Sequence, residues 1–579
     1  MKKLFLILIL LIPFKIDAYS EAVVDINNLS IKELQEYVDK GYLTYEKITQ
    51  LYLDRIEAYN KQYNALITIN ENALEEAKKL DEEYKKNGRK SLIYGLPVIV
   101  KDNIDVKGLP TTNGAKGLLD SIPYENAPTV QKLVDNGAII IAKSNMDEFA
   151  FNAAYSHSSF GYVYNAHDTK YSSYGSSGGS AVGVASNLAV YALGSDTGSS
   201  VRVPSSANGV VGIRPSYDIV SGEGVIKFDS TRDVVGVITK YVEDSAIVLD
   251  IIDNEETKYT DYLTNSLEGV KIGVIKGFMN PNTSSTSSAY GKTDKFVYDM
   301  MNESIKTLQS LGAEIVYLDS FYLNYQFDAT PMCYEFNEYI KGTSSKIKSL
   351  DDLIKNGGFT QYITSYNNYY CYTDYKQTGS YKSYINNRNN NIKLANNKFD
   401  SNNLDAIIYP TIKTELIKIN EIWSKKLYTP SSNIAPLIGF PAISIPMGYN
   451  DKFPYGLEIV TKSKNEGMIY KIASAYESKN KVYKTPDIAP SLYEIPENTT
   501  KLLNYYEEYK DKKAYKSTNA KTLEFIKNYS NDETKINELI AEYEIPVMER
   551  SETKAKEINI ILFSTLILLC IFILKKVVK

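Results

Sequence analysis

Residue types that could carry out acyl transfer are concentrated in residues 171–205. Two Ser/Gly clusters, 175–180 and 198–200, flank a short apolar run there. Glycine lets another group approach the backbone closely, and a helix N-terminus presents free N–H groups to negative charge. Acyl transfer needs a nucleophile, a proton carrier and an oxyanion site. The stretch predicts a tight turn feeding a helix, a buried strand at 189–193 and a loop at 196–200.

Other interpretations of this stretch are weaker. A flexible Gly/Ser linker would not be interrupted by apolar runs that are typical of a core. The G-x-S-x-G pattern at 175–179 would make Ser177 the nucleophile of an elbow, but that fold needs a histidine after the serine. The chain has only two histidines, His157 and His167, and both come earlier. A phosphate loop needs a lysine after Gly179, where the chain has a serine.

Because histidine is scarce, another residue must act as the base, and Lys101 is the best candidate. It follows the apolar, β-branched run 96–100, which predicts a buried strand that ends at this lysine. Burial disfavours an ammonium ion and lowers its pKa. That pKa would have to fall from about 10.4 to roughly 7–8 for the lysine to serve as a base. From these residues alone, a surface lysine paired with Asp102 or Asp105 stays open.

The order and spacing of three pieces resemble the amidase signature family. The pieces are Lys101, GSSGGS at 175–180 and DTGSSVRVPS at 196–205. The resemblance extends over about residues 25–479, and it implies one α/β domain around a mixed sheet.

The same resemblance assigns the catalytic roles. It implies that Ser200 is the nucleophile, that Ser176 is a bridging serine in a cis peptide with Gly175, and that Lys101 is the base. It places the oxyanion hole at the backbone N–H groups of Thr197, Gly198, Ser199 and Ser200. No cofactor and no metal are implied.

Residues beside the nucleophile are predicted to support it. An ion pair between Asp196 and Arg202 would hold the oxyanion loop, and Ser177 is a further supporting residue. Three positions depart from the family pattern: Ser199 and Tyr174 stand where the family usually has glycine, and Val237 stands where it often has proline. If Ser199 needs a positive φ, its backbone would be strained.

The alternation of apolar runs predicts the fold class. The alternation itself indicates an α/β fold. The family resemblance implies a single amidase-signature domain with a mixed central sheet surrounded by helices, to which we add a C-terminal helical stalk and one transmembrane helix. Predicted strands lie at 96–101, 138–142, 270–275, 315–318, 406–409 and 442–446, and predicted helices at 31–41, 73–86, 129–136, 294–309 and 466–477.

The two ends of the chain predict export and anchoring. A basic start followed by an apolar run resembles a signal peptide, 1–19, and a second apolar run before three lysines predicts a transmembrane helix, 557–578. The amidase domain would cover 20–490 and a stalk or linker 491–556. The protein is thus expected to be membrane-anchored through its C-terminal helix, with an extracytoplasmic catalytic domain.

Composition excludes several classes of function. The chain has 579 residues and a net charge of −5, which argues against nucleic acid as a partner. Its 3 cysteines are too few for a disulfide scaffold, and together with 2 histidines they give no metal-ligand spacing.

The sequence therefore predicts an exported, membrane-anchored amidase that hydrolyses a carboxamide through a Ser-Ser-Lys triad and an acyl-enzyme. Its substrate would be a small-molecule or peptide amide. One alternative is the glutaminase component of a tRNA-dependent amidotransferase. Another is a catalytically inactive surface-binding protein on the amidase fold.

Overall fold

The computed structural model describes residues 25–285, 290–324, 331–360, 375–422, 433–493, 496, 498–528 and 532–544. Contacts within the chain divide it into two compact units, one of which is Ile26–Pro490. The other includes the described helices that follow residue 498. Each unit is described by itself.

The larger unit is built on one large mixed sheet. Its strands in chain order are β1 (Leu66–Ile69), β2 (Pro97–Lys101), β3 (Ile139–Ser144), β4 (His157–Ser158), β5 (Gly161–Tyr162), β6 (Tyr191–Asp196), β7 (Val211–Arg214), β8 (Val234–Thr239), β9 (Lys271–Ile275), β10 (Glu314–Leu318), β11 (Ala406–Pro410), β12 (Ala442–Asn450) and β13 (Phe453–Thr461). The sheet has 11 strands in the order β1-β3-β2-β6-β8-β7-β12-β13-β11-β9-β10, and β4 pairs with β5 separately.

The helices of this unit are mostly short. In chain order they are α1 (Ile31–Asp39), α2 (Tyr45–Tyr63), α3 (Ala73–Asn87), α4 (Pro128–Asp135), α5 (Gly178–Ala185), α6 (Arg202–Asn208), α7 (Val242–Ile252), α8 (Lys295–Ser310), α9 (Met332–Tyr339), α10 (Leu350–Asn356), α11 (Gly379–Ser401), α12 (Ile434–Ile438) and α13 (Glu466–Lys479). The Ser30 side chain accepts from the Glu33 N–H, and the Glu33 carboxylate accepts from the Ser30 N–H, so a capping box opens α1.

Most of the predicted elements are confirmed within a few residues, including β2, β3, β9, β11, α8 and α13. The strands β1, β7, β8 and β13 were not predicted. Three of them carry glycine, and β13 also carries proline, which weakens a strand pattern in the sequence. The strands β7, β8 and β13 form because their neighbours in the sheet complete the hydrogen bonds and bury both faces. The strand β1 lies at the edge of the sheet, pairs with β3 and is only partly buried.

The strands β2 and β6 bring the predicted catalytic segments together. They are parallel neighbours, with Val100 opposite Leu193, so their carboxyl ends meet at one edge of the sheet. Helix α5 begins close to this edge. A Cβ on Gly179 would lie 2.2 Å from the Asn145 carbonyl oxygen and 2.3 Å from that of Ala65, so only glycine allows this approach.

The smaller unit contains three helices in the region predicted as a stalk: α14 (Thr499–Tyr509), α15 (Lys516–Lys527) and α16 (Glu533–Glu544). They enclose an apolar cluster formed by Leu502, Tyr515, Phe525, Ile536, Leu539, Ile540 and Tyr543. The rings of Tyr515 and Tyr543 stack with centroids 5.8 Å apart. This region therefore has a hydrophobic core of its own.

The predicted fold class is wrong in its last element, the transmembrane helix. Among the described residues, no helix is long and apolar enough to cross a membrane. The 23-residue α11 is long enough, but it is rich in asparagine and lysine. The predicted span 557–578 and the predicted signal peptide 1–19 lie outside the described residues. The supported fold class is the α/β domain on a large mixed sheet.

Candidate active site

Lys101, the last residue of β2, is fully buried at the end of its strand, with 0% of its surface exposed. Its Nζ lies 2.7 Å from Ser176 Oγ, 2.8 Å from Ser195 Oγ and 3.3 Å from the Ser195 carbonyl oxygen. The neighbouring Asp102 carboxylate instead lies 3.5 Å from the buried Lys143 ammonium. The surface-lysine interpretation is therefore wrong, and Lys101 faces the serine cluster.

Burial lowers the pKa of Lys101 to about 7, against the opposing influence of the carboxylates of Asp196, Asp233 and Asp147. Burial likewise raises the pKa of Asp233 to about 6, so this carboxylate is a weaker counter-charge than an exposed one. A lysine with this pKa is partly neutral at physiological pH, and its lone pair can accept a proton.

Ser176 lies in the turn that leads into α5, and its peptide bond with Gly175 is cis, as the family resemblance implied. The Ser176 carbonyl oxygen accepts from the Asp147 N–H at 3.0 Å and from Ser156 Oγ at 3.3 Å. Because the backbone is held on this side, the Ser176 hydroxyl is directed at the Lys101 amine.

Ser200 lies in the turn between β6 and α6 and is 5% exposed. Its carbonyl oxygen accepts from the Ser177 N–H at 3.1 Å, which joins the two serine loops. Within the described part of the chain, its hydroxyl forms no hydrogen bond. Catalytic hydrogen bonds are often long without substrate, so this hydroxyl is free to meet a substrate carbonyl.

The oxyanion loop is held by the predicted pair of Asp196 and Arg202. Arg202 Nε donates to Asp196 Oδ2 at 3.2 Å, and Arg202 Nη2 donates to the Gly198 carbonyl oxygen at 2.9 Å. The Val201 N–H also donates to Asp196 Oδ2, at 3.1 Å. Burial would raise the pKa of Asp196, but Arg202 and Arg214 outweigh it and hold that pKa below its usual value. The carboxylate stays ionised and fixes the turn.

Two further charges complete this network, and sequence reasoning missed them. Glu458 on β13 forms a buried ion pair with Arg202 and accepts from the Tyr409 hydroxyl at 2.9 Å. Arg214, at the end of β7, donates to the Asp196 carbonyl oxygen at 2.6 Å. Glu458 could have been identified from the sequence as a charged residue inside the apolar run 453–461, because a buried charge needs a partner.

The departures from the family pattern at Ser199 and Tyr174 have different consequences. Ser199 does not have a positive φ, so the strain considered for it does not arise. Tyr174 does, at 57°, and it is buried. Left-handed backbone costs a non-glycine residue about 1–2 kcal/mol, whereas burying a large aromatic side chain contributes about 3–5 kcal/mol. The packing of Tyr174 therefore outweighs its strain.

The segment 145–150 supports the loop that carries Ser176. Its Asp147 carboxylate accepts from the backbone N–H groups of Asn152 and His157 at 2.8 and 3.1 Å. Asp147 also donates its own N–H to the Ser176 carbonyl oxygen. These hydrogen bonds of Asp147 hold the loop that carries Ser176 in place.

Ligands for a metal ion do not gather at this site. Among the residues that the structure describes, no group of three or more His, Cys, Asp and Glu side chains could hold a metal. The carboxylates closest to Lys101 are engaged by arginine or by backbone N–H groups.

Two serine loops and a buried lysine of lowered pKa can together supply a nucleophile and a base. The family model "Amidase" matches residues 47–470. The chain therefore belongs to the Amidase family, and it is an amidase-signature enzyme.

Relatives by sequence are components of amidotransferases. The chain is 36% identical over 496 residues to the A-type subunit of the glutamyl-tRNA(Gln) amidotransferase of Thermoanaerobacter pseudethanolicus, with 80% of this chain and 98% of that protein covered. It is 31% identical over 494 residues to the corresponding protein of Clostridium botulinum strain Okra, with 79% and 99% covered.

Relatives by structure include a peptide amidase and a subunit of an amidotransferase. The peptide amidase of Stenotrophomonas maltophilia superimposes with a TM-score of 0.69 at 27% identity, covering 79% of this chain and 98% of that one. The A-type subunit of the glutamyl-tRNA(Gln) amidotransferase of Thermotoga maritima gives a TM-score of 0.61 at 26% identity, covering 81% and 100%.

Proposed function

We propose that this enzyme cleaves a carboxamide through a triad of Ser200, Ser176 and Lys101. The observation that carries the proposal is the 2.7 Å contact between Lys101 Nζ and Ser176 Oγ in a site where burial lowers the lysine pKa to about 7. A neutral amine can draw the proton from Ser176, which in turn takes the proton from Ser200.

In the proposed reaction, Ser200 Oγ attacks the amide carbon while its proton passes to Ser176 and the Ser176 proton passes to Lys101. The backbone N–H groups of 197–200 stabilise the oxyanion of the tetrahedral intermediate. Return of the proton through Ser176 to the leaving nitrogen breaks the C–N bond and releases the amine. Water then hydrolyses the Ser200 ester by the same relay.

Two substrate classes follow from the relatives. The higher sequence identity, 36%, is to amidotransferase components, which supports a glutaminase role that supplies ammonia to a partner protein. The likeness to a peptide amidase supports a free-standing enzyme on peptide amides. We favour the glutaminase role, because the match by sequence is stronger over the same share of the chain.

The test is ammonia release by the purified full chain. We expect L-glutamine to be turned over at least about tenfold faster than a peptide amide of similar size, which is about 1.4 kcal/mol in the barrier. Ser200→Ala serves as the matched control and should release no ammonia from either compound. A preference for the peptide amide would instead assign the second role, and turnover by Ser200→Ala would refute the triad.

We also propose that the catalytic unit works in an oxidising compartment, so a partner protein that receives its ammonia would have to lie in the same compartment. Cys333 is disulfide-bonded, and disulfides persist mainly in exported proteins. In protein taken from cells under acid quench, we expect Cys333 to resist alkylation until a reductant is added. Immediate labelling of Cys333 would place the unit in a reducing compartment.

A further inference from the structure

We propose that Ser195 is a positioning residue for Lys101, and that Asn103 holds the Ser195 hydroxyl in the orientation this requires. Neither residue was singled out by its sequence pattern. The inference rests on the proposed role of Lys101 as the base, and it adds two residues to the support of that base.

Asn103 fixes the Ser195 hydroxyl. Asn103 Nδ2 lies 3.3 Å from the Ile226 carbonyl oxygen and 3.0 Å from Ser195 Oγ. A carbonyl oxygen only accepts, so the amide nitrogen must face Ile226, and its second N–H is then directed at Ser195. Asn103 and Ser195 are 2% and 3% exposed, so water does not compete for these bonds.

Ser195 supplies two acceptors for the protonated base. When the Lys101 lone pair takes the Ser176 proton, the O–H bond of Ser176 breaks and the amine becomes an ammonium with three N–H donors. Its acceptors are Ser176 Oγ, Ser195 Oγ and the Ser195 carbonyl oxygen, at 2.7, 2.8 and 3.3 Å. Without the Ser195 hydroxyl, one buried N–H of the ammonium would lose its partner, which disfavours proton uptake.

The charges that face Lys101 stay unchanged when Ser195 is altered. They belong to Asp196, Asp233 and Asp147. Asp196 is held by arginine, Asp233 accepts from the Phe228 and Asp229 N–H groups, and Asp147 accepts from two backbone N–H groups. A change in the titration of Lys101 in a Ser195 variant would therefore report the lost acceptor.

The experiment is the pH dependence of kcat/KM for Ser195→Ala. An acceptor bonded to the charged form raises a pKa, so its loss should lower the pKa of Lys101. We expect the acid limb of the kcat/KM pH profile to move down by about 0.5–1 pH unit. We expect kcat to fall about tenfold, since one pKa unit is a tenfold change in the protonation equilibrium of Lys101. Asn103→Ala should shift the limb in the same direction by less, and Ser195→Thr, which keeps the hydroxyl, should restore it.

Ser180→Ala is the matched control. Ser180 is equally buried and bonds Ser144 Oγ and the Leu193 carbonyl oxygen, whereas Lys101 bonds Ser176 and Ser195. It should leave the acid limb in place. An unmoved limb in Ser195→Ala would overturn the inference while leaving the proposed function intact, whereas activity in Lys101→Ala would refute the proposed function itself.

Discussion

Lys101→Ala is expected to lower kcat by about 10⁴-fold, because loss of one member of a catalytic unit removes most of the unit's effect. For the same reason, Lys101→Ala/Ser200→Ala should be little worse than either single variant. Lys101→Arg should not restore activity, since a guanidinium group stays charged and cannot accept a proton. The measurement is kcat on one small amide at saturating substrate.

The same lysine sets the expected pH dependence. Lys101 acts as a base only when neutral, and burial places its pKa at about 7. Activity should therefore be low below that pH and rise as pH increases through it. Lys413→Met is the control, because burial also lowers the pKa of Lys413, to about 8. Loss of the acid limb of the pH profile in Lys413→Met would contradict the assignment of Lys101 as the base. Near wild-type kcat in Lys101→Ala would contradict it as well.

Arg202→Met is expected to destabilise the fold by about 3–5 kcal/mol, because it leaves the Glu458 and Asp196 carboxylates buried with a partner removed. Both partners and Arg202 itself are 0% exposed. The Gly198 carbonyl also loses its Arg202 donor, so we expect kcat to fall by about 10²-fold through a looser oxyanion loop. Urea unfolding measures the first effect and steady-state kinetics the second.

Two controls separate charge burial from loss of packing. Arg202→Met/Glu458→Leu should recover part of the lost stability, since replacing a buried pair by apolar residues is often neutral. Lys295→Met breaks a pair with Asp299 whose lysine is 80% exposed, and it should cost under about 1 kcal/mol. If Arg202→Met unfolds no more easily than Lys295→Met, the network does not hold the loop.

Local signals in the sequence account for the successful predictions. An apolar run ends at Lys101, the capping box at Ser30 opens α1, and the Ser/Gly clusters mark the turns around Ser176 and Ser200. Each depends on residues within a few positions of one another. The apolar run predicts a strand that ends at Lys101, but it left open whether the lysine is buried. The structure shows that burial, and burial lowers the pKa of Lys101.

The transmembrane prediction shows the limit of such signals. An apolar run has the composition of a spanning helix, but composition alone does not establish the helix. Among the described residues the structure contains none of that kind. The stalk prediction rested likewise on composition, and it gave no indication of the apolar cluster around Tyr543.

The residues around the catalytic groups were decided by the tertiary structure. Lys101 meets Ser176 across 75 residues of chain, and Glu458 meets Arg202 across 256. The order of strands in the sheet determines both of these contacts, and no spacing in the sequence encodes that order. The hydrogen bond between Asn103 and Ser195 could be identified only from the structure, in which β2 and β6 are neighbouring strands. The sequence by itself determined which groups could do the chemistry, and the folded sheet decided which neighbours hold them.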